Sequence, residues 1–222
     1  MSDFYISDYI KEYIEENIQL IDAENYSRLF QQLVPDRRRE LAELFYHLDI
    51  NPLYRMDTVP SCYLEDSENI TDIVIPEGVK IIEADAFNAA SIAEFKLPSS
   101  MMDVRTRAFS HSDVKRIDFG GTKYIGDVIC FSCTDLTTVH IPQVKSIGPG
   151  AFRYCILLEH IHIPSSTVLI GAKAFGDSGL KEITYDGTIE DFQHIKIADF
   201  AIPEGTLIKC SDTDFIYSEA MR

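Results

Sequence analysis

Basic residues are scarce in this sequence. It has 20 lysines and arginines against 36 aspartates and glutamates, which gives a formal net charge of -16. Such a charge repels nucleic-acid phosphates, so we expect no direct nucleic-acid binding. The charge favours a basic partner, although a simple gain in solubility accounts for it equally well.

The sequence also lacks segments that direct a chain into or through a membrane. No apolar stretch approaches the roughly 18 residues of a membrane-spanning helix. The first residues, Met1 to Tyr5, contain neither the basic nor the apolar region of a secretory signal. We therefore expect a cytoplasmic protein without membrane contact. In that compartment the five cysteines, an odd number, are most simply reduced thiols.

Motifs for catalysis and cofactor binding are missing as well. The segment from Gly120 to Lys123 lacks the spacing of a phosphate-binding loop, and no helix is predicted after it. His111, Ser112 and Asp113 are contiguous, and neighbours in sequence cannot adopt the geometry of a catalytic triad. No metalloprotease or nucleophile-elbow motif occurs. The sequence predicts a protein that is not an enzyme and holds no cofactor.

What the sequence does contain is a repeat. Five phenylalanines recur at intervals of 22, 22, 21 and 23 residues, at Phe87, Phe109, Phe131, Phe152 and Phe175. Periods of this length are typical of solenoids, in which each repeat is one structural unit stacked on the next.

Each period carries the same chemistry, which the last copies show best. Ile161 and Ile163 alternate with polar residues, as expected for a short strand with one buried face. Pro164 ends the strand because it cannot donate to a sheet ladder. Gly171 is predicted to turn the chain through a positive φ, and Phe175 to return a ring to the core. A single repeat cannot fold alone, so stacking must stabilise it.

The third copy is the most degenerate. It has Gly120 where other copies have proline, and Cys130 in the place of the alanine that precedes the phenylalanine, here Phe131. Cys133 and Cys155 each stand three residues before a leucine, at a repeated position. The repeat therefore favours small buried core residues over a zinc or redox site.

The pattern of a strand I-x-I-P, a turn I-G, then A-F and a small residue or Cys resembles the BspA-like (Treponema pallidum type) leucine-rich repeats. The resemblance covers residues 70–210 approximately, and the closing unit resembles the family too, with Phe192 where many members have tryptophan. It implies a short right-handed solenoid, about five repeats plus the closing unit, used in protein recognition and adhesion. Short members without an export signal occur in phages and mobile elements, so the resemblance also implies such an origin.

The chain is predicted to contain two parts. Residues 58–222 form the solenoid, and residues 1–57, which lack the repeat, form an N-terminal helical cap domain, so the fold class is an α+β solenoid. Helices are expected over residues 9–21 and 25–33, and a third after Pro35, with Leu41, Leu44 and Phe45 on its apolar face. A separate partner-binding or oligomerising module is the alternative to a cap. Residues 57–69 are a connector or a degenerate first turn.

The strand pattern predicts which side chains face outward. One column contains Asp72, Glu94, Arg116, His160 and Glu182, and the next contains Lys96, Asp118, His140 and His162. Since adjacent turns lie about 4.8 Å apart, the three histidines should share one open face. They are interpreted as a partner contact, sensitive to pH or not, or as plain exposed side chains. No metal is predicted, because metal sites usually need an enclosed ligand set.

The leading hypothesis is a non-catalytic protein-interaction module whose outward sheet face, from Asp72 to Glu182, binds a protein. One alternative is a structural or assembly component, for example of a virion or a homo-oligomer, with contacts made by the helices. The other is an acidic intracellular inhibitor that occupies a basic site on a host nucleic-acid-binding protein. The run Arg37 to Arg39 is interpreted as a solvated helix face.

Overall fold

A computed structural model of the protein describes residues 35–47, 51–68 and 70–221. In this part of the chain the backbone winds into a solenoid of about seven turns, with strands on two sides and few helices. The helices expected over residues 9–21 and 25–33 lie outside the described residues. The right-handed winding stays a prediction.

One side of the solenoid is a single parallel sheet. Each of its strands has two residues, and the second is the more deeply buried, as in Val104 and Ile147. We call it the seven-stranded sheet, and its strands in spatial order are β1 (Thr58–Val59), β2 (Ile81–Ile82), β4 (Asp103–Val104), β6 (Tyr124–Ile125), β8 (Ser146–Ile147), β10 (Leu169–Ile170) and β12 (Lys196–Ile197).

The other side consists of two shorter sheets. The first is parallel and contains β3 (Glu94–Lys96), β5 (Arg116–Asp118) and β7 (Thr138–His140). The second contains β9 (His160–Ile163), β11 (Glu182–Tyr185) and β13 (Leu207–Lys209), with β14 (Asp214–Ile216) antiparallel at its edge. In β3, β5, β7, β9, β11 and β13 the central apolar residue is buried, which confirms the predicted alternation.

A column of buried side chains runs through the middle of the turns, and we call it the core column. Its members are equivalent because the backbone N–H of each donates to the carbonyl just before its counterpart in the next turn, as Phe87 N–H does to Ala108 O at 2.8 Å. The same bond places Leu64, Phe87, Phe109, Cys130, Phe152, Phe175 and Ile202 in this column.

The predicted position of Phe131 in the core is wrong. Cys130 N–H donates to Ala151 O at 2.8 Å, so Cys130 occupies the phenylalanine position and Ile129 the alanine position. Phe131 is shifted outward by one residue and is only partly buried, with its ring edge-on to Tyr154 at 5.3 Å. The repeat misled because the dipeptide Cys-Phe imitates Ala-Phe one residue out of register.

Phe119 compensates for the small side chain of Cys130. The rings of Phe87 and Phe109 are stacked at 5.5 Å, and those of Phe152 and Phe175 are stacked at 5.5 Å. Between these two pairs the ring of Phe119 meets Phe109 at 6.4 Å and Phe152 at 6.3 Å, edge-on to both. Phe119 belongs to the strand position that is Leu97 or Ile141 in neighbouring turns. One enlarged residue therefore fills the space that another leaves.

The Ile-Gly turns depend on glycine for close packing rather than for a positive φ, contrary to the prediction. Gly171 has no positive φ, but a Cβ there would lie 2.5 Å from the backbone nitrogen of Pro149. At Gly148 it would lie 2.8 Å from the carbonyl carbon of Gly126. A side chain at these positions would push neighbouring turns apart.

The solenoid begins one turn earlier than the phenylalanine spacing indicates. β1 pairs with β2, and Leu64 lies in the core column. Helix α1 (Pro35–His47) begins at Pro35 itself, slightly before the predicted start, and Leu41 and Phe45 on its apolar face are buried. A 3-10 turn (Pro52–Arg55) comes after it, with Asn51 as its N-cap.

The closing unit contains helix α2 (Ile189–Gln193) and the last two strands. Thr188 and Asp191 form a capping box at the start of this helix. Phe192 is buried, with its ring edge-on to Tyr185 and Phe215 at 5.3 and 5.5 Å. A final 3-10 turn (Glu219–Met221) ends the described chain.

The Phe119–Cys130 compensation predicts a non-additive double mutant. Cys130→Phe alone should lower the free energy of unfolding by about 1–3 kcal/mol, because the new ring collides with Phe119. Phe119→Leu alone should lower it by about 1–2 kcal/mol, because it leaves a cavity. The double variant should be more stable than the sum of these losses indicates, by about 0.5–3 kcal/mol, in urea unfolding. Strict additivity would contradict the compensation.

Candidate binding face

The outward side chains of β3, β5, β7, β9 and β11 form two straight columns, which we call the candidate binding face. The register places Arg116 opposite Glu94 and Thr138, and His160 opposite Glu182. The second column is Lys96, Asp118 and His140 on the first sheet, and His162 and Thr184 on the second. All predicted positions from Glu94 to Glu182 therefore lie on one side of the solenoid.

Most charged side chains on this face form an ion pair with a side chain of a neighbouring turn. His140 Nδ1 lies 3.0 Å from Asp118 Oδ1, and Arg116 Nε lies 3.9 Å from Glu94 Oε1. At the far end, Lys209 Nζ lies 2.8 Å from Glu182 Oε2. Because these groups remain largely in water, each pair is worth at most about 1 kcal/mol. They leave the face almost neutral locally and rich in hydrogen-bonding groups.

The three histidines do not converge on one point. His140 pairs with Asp118. His162 Nε2, in contrast, lies 3.0 Å from Asp186 Oδ2, and Asp186 comes directly after β11, the strand that pairs with the strand of His162. His160 makes no ion pair with any described residue. Consistent with this divergence, residues 35–47, 51–68 and 70–221 contain no cluster of three or more histidine, cysteine or carboxylate side chains that could hold a metal ion.

The sheet ladder is interrupted between β7 and β9, which lie side by side. In the preceding turn Phe119 N–H donates to His140 O at 2.9 Å, but within the described residues Ile141 N–H has no corresponding acceptor. Likewise, Lys181 N–H donates to Glu159 O at 2.8 Å, whereas Glu159 N–H has no such acceptor in the described turns. The histidines stand on both sides of this break.

Asp72 differs from the other predicted face residues because it does not lie in a strand. Its carboxylate accepts a hydrogen bond from the Tyr46 hydroxyl of α1 at 2.7 Å. Asn51 Nδ2 donates to Val74 O at 2.7 Å, so this carbonyl is already occupied. Contacts with the α1 region thus replace the expected sheet at this end.

The arginines of α1 are not a plain solvated face. Arg38 Nη1 donates to Ser61 Oγ at 2.7 Å, and Arg39 Nη1 donates to Glu65 O at 3.3 Å. Both therefore bind to the first turn. Ser67 Oγ adds a buried hydrogen bond to Glu43 at 2.6 Å.

Cys130, Cys133 and Cys155 are buried core residues, as the repeat predicts. Cys133 Sγ donates to Phe109 O at 2.9 Å, and Cys155 Sγ donates to Cys130 O at 3.1 Å. Burial raises the pKa of the Cys130 and Cys155 thiols. Burial, with a hydrogen bond to Glu65, also raises the pKa of Cys62 to about 12. Thiols of this kind are poor nucleophiles.

A family model decides what the repeat is. The model of the BspA type leucine-rich repeat region matches residues 57–181 and 123–216, in six copies, which is more than half of the chain. The chain belongs to this family. Proteins built from leucine-rich repeats generally mediate protein–protein interaction or surface binding.

Two solved structures are similar to this BspA-type chain. A leucine-rich cell surface protein from Faecalibacterium prausnitzii is 31% identical with a TM-score of 0.53, over 55% of this chain and 34% of that one. A leucine-rich-repeat protein from Bacteroides ovatus is 19% identical with a TM-score of 0.41, over 71% of this chain and 56% of that one. The chain thus matches about a third of the Faecalibacterium protein. A search of curated proteins found no match.

Among the described residues, no helix has both the length and the apolar character needed to cross a bilayer.

The break in the ladder predicts local differences in hydrogen exchange. The Glu159 amide should exchange faster than the Lys181 amide, which is hydrogen-bonded at the same position one turn later. Hydrogen exchange followed by NMR, or by mass spectrometry with residue-level fragmentation, measures both. Equal protection of the two amides would show that the ladder is continuous in solution.

The burial of the thiols predicts their reactivity. Under native conditions at pH 8, iodoacetamide should leave Cys130, Cys133 and Cys155 unmodified, and urea should expose them. Cys62 should react more slowly than a free thiol and speed up with rising pH, because little of it is ionised below its pKa of about 12. Peptide mass spectrometry quantifies each site. Rapid native modification of Cys133 would contradict the core assignment.

Proposed function

We propose that this BspA-type protein binds a protein partner through the candidate binding face, without catalysis. The observation that carries the proposal is the pair of outward columns, in register over successive turns, on an exposed sheet surface. Repeat proteins use such extended surfaces for recognition. The mixed acidic, basic and imidazole groups offer both hydrogen-bond donors and acceptors to a partner.

The centre of the face is the break between β7 and β9. His140 and His162 are each more than 45% exposed although paired, and His160 is exposed without an ion pair to a described residue. Imidazoles can donate and accept hydrogen bonds and present an apolar ring edge. A partner that covers this point would also cover the backbone N–H groups of Ile141 and Glu159, which lack an acceptor in the ladder among the described residues. Contacts at the centre of an interface carry most of its binding energy.

We further propose that residues 1–57 form an N-terminal cap on the solenoid. The support comes from α1, whose Leu41 and Phe45 are buried and whose Arg38 binds Ser61 of the first turn. Solenoid ends need such a cover because their apolar interior is otherwise open to water.

Location and origin are extensions of the same proposal. A cytoplasmic location stays a prediction, whereas the similar Faecalibacterium protein is a cell surface protein. Detection of the native protein in cell fractions of its source decides between the two. A phage origin, an assembly role and an inhibitor role stay predictions, since no structural observation favours them over the binding face.

The proposal predicts the effect of removing the central histidines. The variant His140→Ala/His160→Ala/His162→Ala should bind the partner at least tenfold more weakly, because truncation of central contacts costs more than truncation at the rim. The partner is first captured from an extract of the source organism with the immobilised full chain. Its affinity for both proteins is then measured by titration calorimetry.

A matched control keeps the experiment specific. Asp127→Ala/Lys173→Ala/Gln193→Ala changes three exposed side chains outside the candidate binding face and should leave the affinity within twofold. Thermal unfolding confirms that both variants are folded. Equal affinities of the histidine variant and the unmodified protein would exclude this face.

A further inference from the structure

The seven-stranded sheet has an outward surface of a different character. Strands β6, β8, β10 and β12, with the residue before each, present lysines and large apolar side chains to solvent. We call this surface the basic-apolar stripe, and its exposed members are Lys123, Tyr124, Lys145, Val168, Leu169 and Lys196. The two other positions of these columns are Ser146 and Ile195, so no carboxylate occurs among them.

The lysines of the stripe differ in their pairing from arginines of the same solenoid. Arg105 pairs with Glu83, Arg107 with Asp85, and Arg153 with Asp177 across neighbouring turns. Within the described part of the chain, by contrast, Lys123, Lys145 and Lys196 form no ion pair. A chain with a net charge of -16 thus leaves three cations unneutralised on one surface.

The apolar members are exposed to a degree that the fold does not require. Tyr124 is 55% exposed, Val168 60% and Leu169 40%. The register sets Tyr124, Ser146, Leu169 and Lys196 side by side on consecutive strands, so the six residues are contiguous. Contiguous exposed apolar groups rimmed by charge are typical of interaction sites.

The dimensions of the stripe suit a polypeptide segment. Four parallel strands at about 4.8 Å span about 14 Å, which equals about four residues of an extended chain. Lys123 and Lys145 occupy the same position in adjacent turns, and Lys196 lies two strands further along. Carboxylates a few residues apart in a partner can therefore reach both ends while its apolar side chains cover Val168 and Leu169.

We propose that the basic-apolar stripe binds an acidic segment of another protein that also carries apolar side chains. Charge complementarity with the three lysines selects the acidic groups, and the exposed apolar residues select their neighbours. Three cations can offset the few carboxylates of a short segment, but they are too few to hold the many phosphates of a nucleic acid or of an anionic membrane against a net charge of -16. The stripe lies on a different sheet from the candidate binding face, so the two surfaces can act independently.

The experiment uses the full chain and defined peptides. The probe is a fluorescein-labelled ten-residue peptide that contains glutamate and leucine separated by serine, and fluorescence anisotropy measures its binding. The variant Lys123→Glu/Lys145→Glu should lower the affinity at least tenfold, as two favourable contacts become repulsive. Binding should also fall steeply as salt rises, because the contact is charge-dependent. The peptide with glutamine in place of glutamate, and the one with serine in place of leucine, should each bind more weakly.

Two controls make each outcome decisive. Lys173→Glu introduces the same kind of charge change at an exposed position outside the stripe and should leave the affinity within twofold. Lys145→Gln, a milder change, should give an intermediate affinity in a protein whose thermal unfolding is unchanged. Failure of the unmodified chain to bind the glutamate–leucine peptide would overturn the proposal, as would equal loss with Lys173→Glu. Binding to phosphatidylserine vesicles or duplex DNA instead of the peptide would also overturn it.

Discussion

The contact between equivalent side chains of successive turns is the interaction on which the rest of this structure depends. No turn has a closed core of its own, so the ring of Phe87 is buried against Phe109 of the next turn, and that of Phe152 against Phe175. Backbone hydrogen bonds between turns have the same repeat and hold these side chains in register. Stability is therefore a property of neighbouring pairs of turns.

This stacking is strong enough to overrule local conformational preference. Residues two positions before and after the core column adopt positive φ in turn after turn, and few of them are glycine. Val128, a β-branched residue, has a φ of 48° at this position, where Gly150 stands in the next turn. Positive φ is unfavourable for such a side chain. The contacts above and below must offset this cost, so the turn geometry is imposed by the stack.

Much of the fold could be predicted from the sequence because alternation and period are both local signals. They located the strands of the two shorter sheets, the outward columns from Glu94 to Glu182 and the closing unit around Phe192, but not the two-residue strands of the seven-stranded sheet. The position of Phe131 could not be predicted. The dipeptide Cys-Phe matches the Ala-Phe of other copies, and only the hydrogen bonds between turns show that Cys130 occupies the phenylalanine position. Leu64 was missed as a core-column residue because it lacks the aromatic ring. The break beside His160 has no signal in the sequence, as the spacing across it is an ordinary 22 residues from Thr138.

Core packing constrains the inward positions and makes them predictable. It does not constrain the outward positions, which are therefore informative about binding. One outward column runs Glu94, Arg116, Thr138, His160 and Glu182, so the fold tolerates either charge, a hydroxyl or an imidazole there. The packing that requires Phe152 makes no comparable demand on His160. The residue types at such positions can suit the partner that the surface binds, and their replacement should leave the stacked core intact. A change in binding caused by an outward substitution can therefore be attributed to the surface, which is seldom true of proteins whose surface residues also support the core.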